Sequence, residues 1–154
     1  MIELVTVMVL IGILAAVAMS RLDIATFRER GFHDALKAGL EFARKSAIAK
    51  RRQVCVDVTT GTGAVLALTV AASAPEAGVV SCPISASRLP LAAPDSNCSN
   101  ANELCTPTGV SLTAGSSFYF DALGRASAGA TFSTATAAGS QPNIVVEQET
   151  GYVH

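Results

Sequence analysis

Residues 4–19 of this 154-residue chain are apolar almost throughout, broken only by Thr6 and Gly12, with one carboxylate, Glu3, at the edge of the run. A helix with apolar side chains all round has no face to turn to water, so the pattern predicts a helix built for a greasy surrounding. Over the first 19 residues it would reach about 28 Å, close to the hydrocarbon thickness of a bilayer. The pattern then becomes amphipathic. Phe32, Leu36, Leu40, Ala43 and Ala47 step by four, four, three and four, which makes one stripe on a helix, with Arg28, Glu29, Lys37, Glu41, Arg44 and Lys45 on its other faces. Lys50, Arg51 and Arg52 close the helix where its dipole favours cations, and Gly31 weakens the middle without breaking it. One helix over residues 2–50 would be about 70 Å long. The expected division is a hydrophobic stalk over 1–20, an amphipathic continuation over 21–52 and a globular head over 53–154.

Beyond Arg52 the period shortens to two. Val54, Val56 and Val58 alternate with Cys55 and Asp57, which predicts a half-buried strand. Residues 60–63, Thr-Gly-Thr-Gly, read as a turn, and residues 64–70 return as the second arm of a hairpin. Residues 71–108 are punctuated by Ser, Pro, Asn and Cys and read as one long loop. Further strands are expected at 117–120, 131–133, 143–147 and 151–153, with a turn at 121–124. Helix followed by strands predicts an α+β fold, a long N-terminal helix packed on an antiparallel sheet.

Charge sharpens the division. Residues 1–52 carry nine Lys and Arg against five acids, whereas residues 53–154 carry only Arg88 and Arg125 against seven acids. A head of net charge −5 repels phosphate, which argues against nucleic acid as a partner. The four cysteines, Cys55, Cys82, Cys98 and Cys105, all fall in the acidic part, form no C-x-x-C pair and have only His33 and His154 to complement them. No metal or other cofactor is expected from that set. An even count behind an apolar N-terminus fits disulfides in an oxidising compartment. A short loop closes at little entropic cost, so Cys98–Cys105 is the preferred pair, which leaves Cys55–Cys82 by elimination. Asp95, Asn97, Ser99 and Glu103 invite a calcium reading, but an EF-hand would need Gly in place of Asn100 and an acid in place of Thr106. Asp95, Asn97 and Asn100 remain as the candidate polar surface of an adhesive loop. Neither histidine sits in a nucleophile motif and no glycine-rich phosphate loop is present, so an enzyme is not expected.

The stretch IELVTVMVLIGILAAVA resembles the N-terminal segment of type IV pilins and type II secretion pseudopilins. Three later stretches, LEFARKSAIAKRRQVCVDV (40–58), FYFDALGRA (118–126) and IVVEQETGYVH (144–154), are similar to the GspH/FimT group of minor pilins. The ending ETGYV is most like minor pilins of the mannose-sensitive haemagglutinin type of pilus. The resemblance implies a type IV pilin-like fold and gives Glu3 the place of the family's assembly glutamate, which meets the terminal amine of a neighbouring subunit. That answers why an acid stands in an apolar run: it is neutralised across a subunit boundary, not within the chain.

The resemblance further implies a structural subunit of a pilus-like filament, a minor pilin in assembly or adhesion, with a secretion pseudopilin of the GspH type as the alternative. Its partners would be other pilin subunits, the inner membrane before assembly, an assembly platform and a prepilin peptidase. The head would be periplasmic and the finished filament periplasmic or extracellular. Three departures stand out. The chain starts at Met1 where the family has Leu, without the leader and Phe-Thr start needed for processing. Ser20 replaces a frequent helix-distorting proline. The closing Gly151-Tyr152-Val153-His154 lacks the arginines of DNA-uptake relatives.

Overall fold

The computed structural model describes residues 2–19, 24–73, 82 and 87–154. Among the described residues two helices, α1 (Ile2–Met19) and α2 (Ile24–Lys50), precede nine strands. The passage 20–23 between the helices, with Ser20, lies outside the described residues, as do 74–81 and 83–86 of the expected long loop.

The stripe read from the sequence is the buried face of α2: Phe32, Leu36, Leu40, Ala43 and Ala47 are all buried. It rests on β1 (Val54–Val58), where Val54 and Val56 are inaccessible to solvent. β1 pairs antiparallel with β3 (Val65–Val70), Val56 opposite Leu68, and on its other side with β6 (Phe118–Phe120), Val54 opposite Phe120. β4 (Glu103–Cys105) adds to the outer edge of β3, so the first sheet runs β4-β3-β1-β6. A second antiparallel sheet runs β2 (Gly61–Thr62), β5 (Ser111–Ala114), β7 (Ala130–Thr136), β8 (Gly139–Ser140), with β9 (Ile144–Val146) also on β7. α2 packs across both sheets, touching β1, β4 and β6 of one and β7 of the other. Phe118 links them: its ring lies 5.3 Å edge-on from Phe120 and 6.3 Å from Phe132 of β7.

The α+β architecture expected from the sequence is present, with six differences in detail among the described residues. There are two sheets where one was expected. The region 71–108 includes a strand, β4, and the tip of the first hairpin forms β2 by pairing with β5. Neither β5 nor β8 was expected, and β7 is longer than 131–133. Residues 151–153 contribute one bridge, Val146 to Val153, and no strand, because Gly151 at φ +62° turns there and donates to the Glu147 carbonyl.

Polar contacts clamp the first half of α2 to the second sheet. Glu29 is 1% exposed, and its Oε1 accepts the Gln141 amide at 3.1 Å. One turn on, His33 Nε2–H donates to the Pro142 carbonyl at 3.0 Å. At its far end α2 stops in a Schellman turn, with Arg52 N–H donating to Ala47 and Arg51 N–H to Ile48. The residue that must turn left-handed is Arg51, at φ +49° and exposed, where glycine is usual. Arg51→Gly is expected to stabilise the fold by about 0.5–1 kcal/mol, the relief of left-handed strain less the greater unfolded-state entropy of glycine. Chemical denaturation of the two proteins checks it; a lower midpoint for Arg51→Gly would refute the strain.

Candidate assembly and binding surfaces

Every side chain described in α1, residues 2–16, is exposed, including Ile2, Leu4, Val5, Val7, Met8, Leu10, Ile11, Ile13 and Leu14. Exposed apolar area this continuous marks a surface made for another hydrophobic body. Glu3 lies in the first turn, where the helix dipole favours an acid, and Thr6 Oγ1–H donates to its carbonyl at 2.8 Å. Among the described residues Glu3 makes no ion pair. α1 is about 27 Å long, and among the described residues no helix is long and apolar enough to cross a membrane.

Both cysteine pairs are bonded. Cys55 and Cys82, with Cα atoms 5.8 Å apart, tie the outer face of β1 to the segment beyond β3. Cys98 and Cys105, at 5.6 Å, close the loop that leads into β4. These are the two pairs preferred from the sequence. Cys98, Glu103 and Cys105 hold their side chains within 4.8 Å of one another, yet sulfurs joined in a disulfide are not the thiolates a metal would need. On the outer face beside Cys55, burial pushes the Asp57 carboxyl up from its usual range, and its Oδ2 has no hydrogen-bond partner.

The three candidate adhesive residues lie together at the second disulfide loop, Asp95 and Asn97 just before it and Asn100 within it. Asp95 is half-buried; Oδ1 accepts from the Asn97 backbone at 2.9 Å and Nδ2 at 2.8 Å, while Oδ2 accepts the Cys105 amide at 3.0 Å. Asn100 receives Arg88 Nη1–H at 2.9 Å and donates to Glu103 Oε1 at 2.7 Å. Asp95 and Asn100 thus shape the loop, and Asn97 is exposed at its surface. Asp95 and Asn97 also line one wall of a cleft of about 350 Å³ whose opposite wall is α2, at Arg28, Gly31, Phe32 and Ala35.

That wall belongs to a feature the sequence reading missed. A second apolar stripe runs along α2 through Ile24, Phe27, Gly31, Ala35, Ala38 and Phe42, in steps of three and four. Ile24 is 62% and Phe27 80% exposed; Gly31, Ala35 and Ala38 are exposed too. A methyl group added at Gly31 would meet nothing within 4 Å. The spacing was the available signal, masked because alanine and glycine carry little hydrophobicity beside the large residues of the other stripe.

A helix laid across two antiparallel sheets, with a second helix apolar all round ahead of it, defines the type IV pilin-like fold. Solved structures of that fold resemble it across most of their length. The minor pilin FimU of Pseudomonas aeruginosa, in two crystal forms, superposes with TM-scores of 0.57 and 0.55 at 16% identity; the match covers 81% of this chain and 85% or 90% of FimU. The minor pseudopilin EpsH of the Vibrio cholerae type 2 secretion system superposes at 0.53 with 13% identity, covering 86% of this chain and 94% of EpsH. No family model and no curated protein matches the sequence.

Proposed function

We propose that this chain is a structural, non-catalytic subunit of a type IV pilus-like filament, of the minor pilin or minor pseudopilin kind. The observation that carries the reading is α1: a helix apolar on all sides, unpacked against its own head, with a lone acid near its start. Water does not tolerate such a surface, so it is buried first in the inner membrane and then in a filament core. Similarity of fold to FimU and EpsH supports the same reading. The head lies outside the cytoplasm, where its two disulfides are stable. Other pilin-fold subunits are the partners, and the assembly platform and prepilin peptidase act on the chain before incorporation.

Glu3 is the assembly residue. Glu3→Ala is expected to leave the protein as abundant in the membrane as the wild type while its content in sheared filaments falls about tenfold, a transfer free-energy change of about 1.4 kcal/mol. Immunoblots of both fractions measure it. Normal incorporation at normal abundance would sink the idea of a charge neutralised between subunits.

A second role, as a binding module, rests on the cleft against the Cys98–Cys105 loop. It is compatible with the first. Charge reversals confined to that loop that abolish adhesion but preserve filaments would assign it.

A further inference from the structure

We infer that the closing hairpin and the later turns of α2 form a shallow site for a neutral pyranose sugar, with Tyr152 as its aromatic side and Glu41, Arg44 and Lys45 as its polar side. The inference goes beyond the filament reading and does not depend on it. It starts from one ring that the fold leaves outside. In the head, Phe118, Phe120 and Phe132 are buried and Tyr119 is half-buried, whereas Tyr152 is 56% exposed.

The backbone holds that ring in place. Side chains alternate along 152–154, so Val153 enters the core while Tyr152 and His154 share the outer face. The bridge from Val146 to Val153, and the amides exchanged between Val145 and His154, tie the segment to β9. The two rings stack with centroids 5.4 Å apart and planes 14° from parallel, and His154 Nε2 lies 3.2 Å from Glu147 Oε1. The product is a flat aromatic shelf open to solvent. Beside it a hollow of about 110 Å³ is lined by Tyr152, Val153 and one turn of α2, at Glu41, Arg44 and Lys45. Lys45 pairs with Glu41 at 3.0 Å, and Arg44 is anchored through Nε to the Gly124 carbonyl at 3.3 Å.

The chemistry of this set selects the occupant. A phosphate asks for donors alone, and a cation asks for acceptors alone. Here the donors of Arg44 and Lys45 stand with the carboxylates of Glu41 and Glu147, and two cations cancel two acids. Sugar hydroxyls both donate and accept, so they can use both kinds of partner, and the C–H face of a pyranose is apolar enough to lie on an aromatic ring. A nucleobase would stack on the same ring, but its phosphates would meet Glu41, Glu147 and a head of net charge −5. So small a hollow takes the edge of one sugar ring, which sets a dissociation constant on the order of 1 mM. Lys45 stands about 32 Å along α2 from Ile24, so the shelf lies at the end of that helix away from α1.

The test uses the full chain in a detergent that contains no sugar. Saturation-transfer NMR with the methyl pyranosides of glucose, galactose, mannose and N-acetylglucosamine should show transfer from the protein to at least one of them, strongest at ring C–H protons. Tyr152→Phe, which keeps the ring, should hold that transfer within about twofold, and Tyr152→Ala should lower it about tenfold. Glu41→Ala, which removes an acceptor from the other side of the hollow, should lower it about threefold or more. Excess inorganic phosphate should not displace the sugar. Thermal transitions equal to the wild type confirm that the variants are folded. No transfer to any of the glycosides, transfer in Tyr152→Ala or Glu41→Ala equal to the wild type, or displacement by phosphate overturns the sugar site and leaves the filament reading as it stands.

Discussion

Leu40→Asp is expected to abolish the cooperative thermal transition of the head. Leu40 is wholly buried at the centre of the stripe where α2 meets β1. Its neighbours there are Leu36, Ala43 and the valines of β1, none of which can pair with a carboxylate. An unpaired charge in that setting costs about 4 kcal/mol or more, a large share of the 5–15 kcal/mol that holds a domain together. Val9→Asp makes the same chemical change on α1, where Val9 is exposed and supports nothing in the head. Circular dichroism melts of the full chain in mild detergent should therefore separate the two: no head transition for Leu40→Asp, an unchanged one for Val9→Asp. Wild-type melting of Leu40→Asp would refute the packing of α2 on the sheets.

Gly151→Ala is expected to have the second largest effect on the fold. Gly151 makes the turn of the closing hairpin at φ +62°, and a Cβ there would run into the Gly124 carbonyl oxygen, with the Gly124 carbonyl carbon at 3.0 Å and the ring of Phe120 at 3.3 Å. The collision is with backbone, which cannot swing aside as a side chain can. Gly124 is itself fixed, at φ +83° in a turn whose amides bond to Asp121, and its carbonyl accepts from Arg44 Nε at 3.3 Å. Either the 147–154 hairpin or the 121–124 turn must move, at a cost of about 3 kcal/mol or more. Gly115→Ala, at an exposed position with nothing within 4 Å, serves as the control and should melt like the wild type. Equal melting of the two alanine variants would show that the hairpin gives way freely.

What the sequence made legible was what one-sided burial imposes. The stripe through Leu36 and Leu40 and the alternation of Val54, Val56 and Val58 are periodic because each faces the core. Strands β5 and β8 escaped because Ser-Leu-Thr-Ala and Gly-Ser have no such rhythm; they are strands because β7 offers them an edge. β4 escaped for a related reason. Its Glu-Leu-Cys is bound to β3 by pairing of Leu104 with Leu66, at the end of a loop shaped by Asp95. Spacing alone made the Cys98–Cys105 pair legible. The inward use of Asp95 and Asn100 was not, since side-chain capping depends on where the chain returns at Cys105 and Arg88. The second stripe of α2 stayed hidden because its middle consists of Gly31, Ala35 and Ala38, and small residues register as weakly apolar however exposed they are.

If the chain serves in a filament as proposed, the clamp on α2 bears on what happens when that filament is pulled. Tension entering through α1 arrives at the start of α2 and travels up that helix. Two tertiary polar bonds, Glu29 to the Gln141 amide and His33 to the Pro142 carbonyl, lie on its way before the buried run from Leu36 to Ala47. They join α2 to the 141–142 connection, between β8 and β9 of the second sheet. Traction would thereby reach the second sheet through the clamp as well as the first sheet through the helix–β1 seam. Weakening Glu29 or His33 would then concentrate the pull on the helix–β1 seam.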